Sequence, residues 1–291
     1  MPTGILDLPY DQVAFKASHN SYDRGMTYAA QLTHHPADPT DAGCRGLELD
    51  LIQKRGDWKW SVSHPTLGNT ISRTAYDSAP EHQLSTHLEE LGAWSRDRPT
   101  HHPVLVQLDL KWRLNFGDFP EYAEKLDSYL AAHLDNGRAD TVYTPGEFLR
   151  GESTLGRAAG KHGWPLVRDL RGRFVLVLSG TASRKYRYIQ SHTARRLCFA
   201  DKGYRRGQHR TTIRGNQIFL NVQSDSDKVW PKEAPGWRAQ GGIIIRTWDI
   251  SSRKGWDFCR RKGANVLSTD HVSGKPWAKV GSQPLALRGD L

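Results

Sequence analysis

The sequence lacks long apolar runs and is poor in cysteine. No stretch approaches the roughly 18 consecutive apolar residues of a membrane-spanning helix, so the sequence predicts no span. Its three cysteines, Cys44, Cys198 and Cys259, are too few and too far apart for a disulfide framework or a C-x-x-C metal site. We therefore expect them to be small, buried, apolar residues.

The first residues also lack the basic leader and the apolar segment of a secretion signal. The chain as given therefore fits a cytoplasmic protein or a secreted protein whose leader has been removed, in either case peripheral to a membrane. No internal repeat or low-complexity segment occurs. With 291 residues, of which 37% are hydrophobic and 10% aromatic, the chain can bury one large core or two small ones.

Charge is distributed unevenly along the chain. Residues 1–150 hold 14 Lys and Arg against 21 Asp and Glu, a net charge of −7, whereas residues 151–291 hold 27 against 10, a net charge of +17. The basic half predicts an anionic partner such as a membrane surface, a lipid headgroup or nucleic acid. The acidic half contains the candidate metal ligands.

Eight short, mostly apolar segments alternate with connections that contain helical patterns, the clearest at 120–134. We predict strands at 13–18, 45–52, 103–111, 174–178, 196–200, 218–222, 242–247 and 264–269. A further segment, 58–64, is predicted to form a hairpin outside this series. Eight strands separated by helices are typical of an α/β protein with a (β/α)8 TIM barrel fold, which favours a single domain over residues 1–291.

Acid, base and metal-ligand groups stand at or near the ends of four strand-like segments. They are His19 and Asn20, Glu48 and Asp50, His64, and Asp109. In a parallel barrel the active site lies at the carboxyl ends of the strands, so these side chains are expected to converge. Glu48 and Asp50 alternate with leucines and therefore share one face of their strand. Two acids that point into a barrel need a positive partner, and a divalent cation is the simplest one.

An ordered set of motifs runs through the chain. They are Ser-His-Asn-Ser-Tyr at 18–22, Gly-Cys-Arg-Gly-Leu-Glu-Leu-Asp at 43–50, Ser-His-Pro at 63–65, Pro-Val-Leu-Val-Gln-Leu-Asp at 103–109, Ile-Arg-Thr at 245–247 and Gly-Ala-Asn-Val-Leu-Ser-Thr-Asp at 263–270. Together they resemble the catalytic barrel of calcium-dependent, phosphoinositide-specific phospholipase C, and within it the compact bacterial and fungal branch. The resemblance implies a phospholipase C-like barrel hydrolase that cleaves a phosphodiester.

The resemblance also implies a role for each matching position. His19 would contact the phosphoryl oxygens, and His64 would protonate the leaving alkoxide. The metal ligands would be Asn20, Glu48, Asp50 and Asp109. Oxygen donors of this kind suit Ca2+, or else Mg2+. An inositol-type 2-hydroxyl, activated by the metal and losing its proton to Glu48 or Asp109, would attack phosphorus and give a cyclic phosphate.

Four further residues are expected on the substrate side, namely Lys111, Arg246, Trp248 and Asp270. Lys111 and Arg246 are candidate contacts for an anionic group. Trp248 stands where the compact branch tends to carry a second arginine, and Asp109 is shorter than the glutamate of many eukaryotic members. These departures bear on the headgroup that the site accepts and on the metal that it holds.

Simpler interpretations of single residues remain open. Glu48 and Asp50 could form a solvated strand face, and Asp109 could pair with Lys111 or Arg45. Loop histidines, among them His101 and His102, are expected to be solvated. The tryptophans are expected to lie in the core, although four of them stand in polar stretches that could meet a lipid interface, namely Trp58, Trp60, Trp230 and Trp237.

Two other functions fit the same sequence. A glycerophosphodiester phosphodiesterase or a specialised cyclising phosphodiesterase would use the same barrel on a soluble substrate. A catalytically silent barrel would instead bind anionic membrane surfaces through Arg205, Arg206 and Arg210. Basic and aromatic residues also alternate in single-stranded nucleic-acid sites, but no nucleic-acid motif accompanies the span 184–214. We expect a monomer that takes a phospholipid or another anionic phosphodiester and contacts an anionic membrane peripherally.

Overall fold

The structure, a computed structural model, describes residues 4–33, 41–53, 60–63, 82–111, 121–190, 192–204, 215–223, 230–281 and 283–289. Its strands are β1 (Val13–Ser18), β2 (Gly46–Gln53), β3 (Trp60–Val62), β4 (Val104–Leu110), β5 (Phe174–Gly180), β6 (Phe199–Tyr204), β7 (Phe219–Gln223), β8 (Ile244–Trp248), β9 (Val266–Thr269) and β10 (Ala286–Leu287). Its helices are α1 (Tyr28–Leu32), α2 (Leu84–Arg96), α3 (Glu121–His133), α4 (Pro145–Leu149), α5 (Leu155–His162), α6 (Ala182–Gln190), α7 (Ala234–Gln240) and α8 (Arg253–Arg261).

Eight of these strands close into a parallel barrel. Neighbours pair in the order β1, β9, β8, β7, β6, β5, β4 and β2, and β2 pairs with β1 again. The last junction is tight, because a Cβ at Gly46 would lie 2.6 Å from the Cβ of Ala17. Glycine at this position therefore lets β1 approach β2 and complete the barrel. The predicted (β/α)8 fold is confirmed.

Two strands lie outside the barrel series. β3 pairs antiparallel with β2, as the predicted hairpin requires. β10 pairs antiparallel with the start of β1 through Leu287 and Ala286. It was not predicted, since two residues carry no pattern.

Local sequence patterns explain why two helices of the outer layer, α3 and α4, form where they do. α3 buries Tyr122, Leu126 and Leu130 at intervals of four residues, so one apolar stripe faces the barrel. α4 is only five residues long, but Thr144 and Glu147 form a capping box at its start and Pro145 occupies its first position. Such end groups fix a short helix that propensity alone would not hold.

The interior of the barrel changes from apolar to polar along its axis. At the amino ends of the strands, the rings of Trp164, Phe199 and Phe219 pack with centroids 5.3–5.6 Å apart. Further up, Lys185 reaches in to pair with the buried Asp201. Carboxylates, amides and hydroxyls follow at the carboxyl ends, where they form a polar mouth.

Some local predictions agree with the structure and others do not. All three cysteines are buried, as predicted, and no disulfide joins them in the described part of the chain. Trp60 and Trp230 are buried in the core, whereas Trp58 and the side chain of Trp237 lie outside the described residues. The predicted start of β6 at Arg196 was wrong by three residues, because Arg196 turns away to bind Asp127.

The prediction of solvated histidines at His101 and His102 was wrong for His101, which is buried at the amino end of β4. Its Nε2 lies 2.8 Å from Ser95 Oγ, and its Nδ1 lies 2.6 Å from the carbonyl oxygen of His102. Among the described helices, none combines the length and apolarity that crossing a bilayer requires.

Candidate active site and metal centre

The turn after β1 anchors the site to the neighbouring strand. Asn20 adopts a left-handed conformation (φ 45°), which asparagine tolerates better than most residues. Its backbone N–H donates to Glu48 Oε2 at 3.2 Å. Ser21 Oγ donates to the carbonyl of Ser18 and accepts the backbone N–H of Glu48 at 2.8 Å. The turn that carries His19 is therefore fixed to the middle of β2.

Three carboxylates converge inside the mouth. Glu48 and Asp50 on β2 and Asp109 on β4 face inward because their positions pair in register, and each offers an oxygen within 4.8 Å of the others. Glu48 is 4% and Asp50 0% exposed. Tyr22 Oη donates to Asp50 Oδ2 at 2.9 Å and lies 3.5 Å from Asn20 Oδ1. The Tyr22 hydroxyl thus ties the carboxamide of Asn20 to the acidic cluster.

These residues fit a hard divalent cation. Asp109 Oδ1 is buried and has no hydrogen-bond partner in the described part of the chain. Space is kept beside it by Gly180, where a Cβ would lie 2.3 Å from that same oxygen. The donors around it are carboxylate and carboxamide oxygens, which are the ligands that Ca2+ and Mg2+ prefer.

Two cationic side chains balance the acids. Lys111 Nζ lies 2.9 Å from Asp50 Oδ1 and 2.6 Å from Asp109 Oδ2, and Arg246 lies 2.9 Å from Glu48 Oε2. Although burial alone would raise it, the pKa of Glu48 is lowered to about 2 by Arg246 first, then by His19 and Lys111. Burial raises the pKa of Asp50 to about 7, with Asp109 and Glu48 adding to the effect of burial and Lys111 opposing it.

His19 is oriented from several sides. Its Nδ1 lies 3.0 Å from Asp270 Oδ1, its Nε2 lies 3.7 Å from Glu48 Oε2, and its ring stacks on Trp248 at a centroid distance of 5.7 Å. Arg24 holds Asp270 in turn, at 2.7 Å. Burial lowers the pKa of His19, but Glu48 and Asp270 outweigh burial and raise the pKa above its usual value. The two carboxylates therefore stabilise the protonated imidazole.

Six of the candidate residues line a cavity of about 340 Å³ at the barrel mouth, together with Ser179, Lys185 and Asn221. The six are His19, Asn20, Glu48, Asp109, Lys111 and Trp248. Behind this lining, the buried Arg246 donates from Nη1 to Asn221 Oδ1 at 2.8 Å, and Asn221 Nδ2 donates to Ser179 Oγ at 3.0 Å. Arg246 Nη2 also donates to Ser268 Oγ at 3.0 Å. Arg246 therefore fixes Asn221 from behind, and the neutral hydrogen-bonding groups of Asn221 and Ser179 face the cavity.

The structure brings most of the candidate residues together around this cavity. They are His19, Asn20, Glu48, Asp50, Asp109, Lys111, Arg246, Trp248 and Asp270. His64 lies outside the described residues. Sequence reasoning missed Tyr22, Arg24 and Asn221. Tyr22 stands within the first motif and Asn221 near the end of a predicted strand, so position gave a signal for both, whereas Arg24 gave none.

A (β/α)8 barrel with an oxygen-donor cluster and a histidine at its carboxyl end fits the class of metal-dependent barrel phosphodiesterases. The model of one family, described as phosphoinositide phospholipase C, Ca2+-dependent, matches residues 72–227. More than half of the 291-residue chain is matched, and the chain belongs to this family. It is therefore a phosphoric diester hydrolase of the phospholipase C type, and calcium is its cofactor.

Solved structures of low sequence identity share the fold. A calcium-dependent phosphoinositol-specific phospholipase C from a Gram-negative bacterium, Pseudomonas sp., is 18% identical with a TM-score of 0.74, covering 98% of this chain and 97% of that chain. The Ca2+-dependent phosphatidylinositol-specific phospholipase C of Streptomyces antibioticus is 17% identical with a TM-score of 0.71, covering 97% of this chain and 99% of that chain. No curated protein matches the sequence.

Proposed function

We propose that the chain is a phosphatidylinositol-type phospholipase C that acts as a single catalytic domain, residues 1–291, and as a monomer. It cleaves the phosphodiester of a glycerophospholipid by attack of a headgroup hydroxyl on phosphorus, which yields a cyclic phosphate. The observation that carries the proposal is the one cavity that Glu48, Asp109 and His19 share. Membership of the family supports the same class of reaction.

Asn20, Glu48, Asp50 and Asp109 would hold calcium, which when bound supplies a Lewis acid that lowers the pKa of the attacking hydroxyl and offsets phosphoryl charge. Of the two candidate proton acceptors, Glu48 is paired with Arg246, and its low pKa makes it a weak base. Asp109 can divide the two roles, metal ligand and proton acceptor, between its oxygens, since Oδ1 has no hydrogen-bond partner among the described residues and Oδ2 contacts Lys111. We therefore assign the proton of the attacking hydroxyl to Asp109.

His19 stabilises the charge that develops on the phosphoryl group. Asp270 accepts a hydrogen bond from Nδ1–H, so the protonated ring can donate its Nε2–H to a phosphoryl oxygen. The hypothesis that His64 protonates the leaving oxygen completes the reaction, although that residue lies outside the described part of the chain. Ser179 and Asn221 are neutral hydrogen-bonding groups, which suit ring hydroxyls better than added phosphates.

Phosphorus NMR of phosphatidylinositol vesicles tests the reaction. With calcium we expect a cyclic phosphodiester signal, which should be lost with chelator and fall by about 10²-fold or more in His19→Gln. His133→Gln is the matched control, because His133 lies on α3 and pairs with the exposed Glu89. If the protein cleaved a water-soluble glycerophosphodiester but not the vesicles, the substrate would be a soluble phosphodiester and not a lipid. No turnover of either substrate would contradict the proposed reaction.

We further propose that the mouth meets an anionic membrane. Exposed Arg253 and Lys254 follow β8, and exposed Lys275 follows β9, so these cations stand at the same end of the barrel as the cavity. Cations in such positions attract anionic lipids at roughly 1 kcal/mol each. Vesicle sedimentation should show weaker binding when all three are changed to glutamate, while Arg157→Glu with Lys161→Glu on α5 should bind as the unmodified protein does. Equal binding by both variants would contradict the membrane contact.

A further inference from the structure

The carboxylates of the metal centre already hold a cation that belongs to the chain. Lys111 Nζ lies within hydrogen-bonding distance of Asp50 Oδ1 and Asp109 Oδ2, at 2.9 and 2.6 Å. Lys111 follows β4 directly, two residues after Asp109, so the strand that supplies a ligand also supplies its counter-ion. Asp50 is fully buried and the Lys111 side chain is only 15% exposed, so solvent screens this contact weakly.

The charge balance of the cluster depends on this lysine. Glu48 is neutralised by Arg246, which also binds Asn221 and Ser268 and is 3% exposed. Arg246 is therefore fixed in place. Lys111 has one flexible stem and lines the open cavity, so it can leave the carboxylates without disturbing the barrel. Of these two cations, only Lys111 is free to exchange.

A divalent cation and an ammonium group cannot both occupy the same carboxylate oxygens, because like charges at this separation repel strongly. We propose that Lys111 is a built-in competitor for calcium. It neutralises Asp50 and Asp109 while the metal is absent, and it must turn into the cavity when calcium binds. Lys111 thereby lowers the calcium affinity of the centre. The inference rests on the proposed calcium ligands and adds to them the residue that sets their affinity.

Calorimetric titration of calcium into the unmodified protein and Lys111→Met tests the competition. Removal of the ammonium group should tighten calcium binding about 10- to 100-fold, since a neighbouring charge of this kind shifts the affinity for a cation by such factors. Lys125→Met is the matched control, because Lys125 pairs with Glu121 on the outer face of α3. Its affinity should equal that of the unmodified protein.

Thermal unfolding supplies a second readout that needs no substrate. In chelator, Lys111→Met should melt below the unmodified protein, because Asp50 and Asp109 lose their counter-ion. In saturating calcium the two proteins should melt at the same temperature, or Lys111→Met should melt at the higher one. If the methionine variant does not fold, Lys111→Gln takes its place, and reductive methylation of the unmodified protein gives an independent test, since Lys111 should be protected in chelator and modified in calcium.

The outcomes separate this inference from the proposed metal centre. Tighter binding by the variant, or binding by the variant alone, supports a competing lysine. Calcium binding that is equal in both proteins, or weaker in the variant, overturns the competitor and leaves the metal centre standing. Calcium binding by neither protein overturns the centre and the competitor together. Methylation of Lys111 that is equal in calcium and chelator would also overturn the exchange.

Discussion

His19 contacts charged or aromatic side chains on three sides of its ring. Glu48 approaches one ring nitrogen, Asp270 the other, and Trp248 covers a face. Asp270 belongs to the end of β9 and is held by Arg24 from the turn after β1. The orientation of the ring therefore depends on residues that follow two neighbouring strands, β1 and β9.

Asp270→Asn should lower kcat about 10- to 100-fold, a smaller loss than removal of a whole general acid or base gives. The amide keeps the shape of the side chain but no longer favours the protonated ring. Calcium affinity should not change, because Asp270 contacts no proposed ligand side chain. Steady-state kinetics beside calorimetry would measure both. Asp249→Asn, an exposed position just after β8, is the control, and a loss of the same size there would contradict the assigned role of Asp270.

The stability of the fold should depend on pH through His101. Burial lowers the pKa of His101 from its usual value of 6.5 to about 4, and His102 shifts in the same direction. The folded chain therefore binds fewer protons than the unfolded chain between these values. The contribution of His101 to the free energy of unfolding is therefore fully present above pH 6.5. It declines as the pH falls toward 4, by about 2–3 kcal/mol.

Urea unfolding of His101→Gln at pH 7 and pH 5 would measure that contribution. The variant should lose less stability than the unmodified protein on acidification, although His102 keeps part of the effect. His133→Gln should retain the full dependence. An unchanged pH dependence in His101→Gln would show that other groups dominate the acid response.

At the scale of elements, the site depends on how two strands end side by side. β5 ends at Gly180, whose φ of +83° lies in the left-handed region, and a Cβ there would lie 2.2 Å from the carbonyl oxygen of Leu110 and 2.3 Å from Asp109 Oδ1. The end of β5 thus shapes the acidic cluster on β4 without providing a ligand.

Gly180→Ala should destabilise the fold by about 2 kcal/mol or more, through backbone strain and the collision with β4. It should also weaken calcium binding, because Asp109 has to move. Gly151→Ala is a matched control, since Gly151 has a similar φ of +86° but its added Cβ would meet no atom of the described residues within 4 Å, its chain neighbours aside. That variant should show strain of about 1 kcal/mol and unchanged calcium affinity. Equal effects in both variants would mean that strain alone matters at Gly180.

Element prediction succeeded where the pattern is local. The apolar run at 13–18 is bounded by polar residues and is observed with the predicted limits. β6 was misplaced because Arg196 is drawn out of the strand by Asp127, which lies 69 residues away in sequence. Such a contact leaves no trace in a short window of sequence.

At the scale of the whole molecule, the convergence of His19, Glu48 and Asp109 could be predicted, because a parallel barrel brings the carboxyl ends of its strands to one mouth. The hydrogen bonds that connect these residues could not. The contact of Lys111 with Asp50 and the clamp of Arg24 on Asp270 depend on side-chain conformations that only the packed barrel selects.

The barrel is also fastened at the opposite end by its last residues. Arg288 follows β10, is 8% exposed and donates to the carbonyl oxygens of Gly263, Asp11 and Ile243. These carbonyls precede β9, β1 and β8. One guanidinium group therefore joins the amino ends of three adjacent barrel strands.

Arg288→Met should lower the free energy of unfolding by about 2–4 kcal/mol, because buried carbonyls lose their donors while the apolar stem is kept. Urea unfolding would measure the loss, and calcium titration should show an unchanged centre at the far end of the barrel. Arg261→Met, at an exposed position in the last turn of α8, should change stability by no more than about 0.5 kcal/mol. A loss at Arg288 as small as that would mean that strand pairing alone closes the barrel. A large loss with intact calcium binding would show that the C-terminal segment stabilises the fold and that the catalytic site does not depend on it.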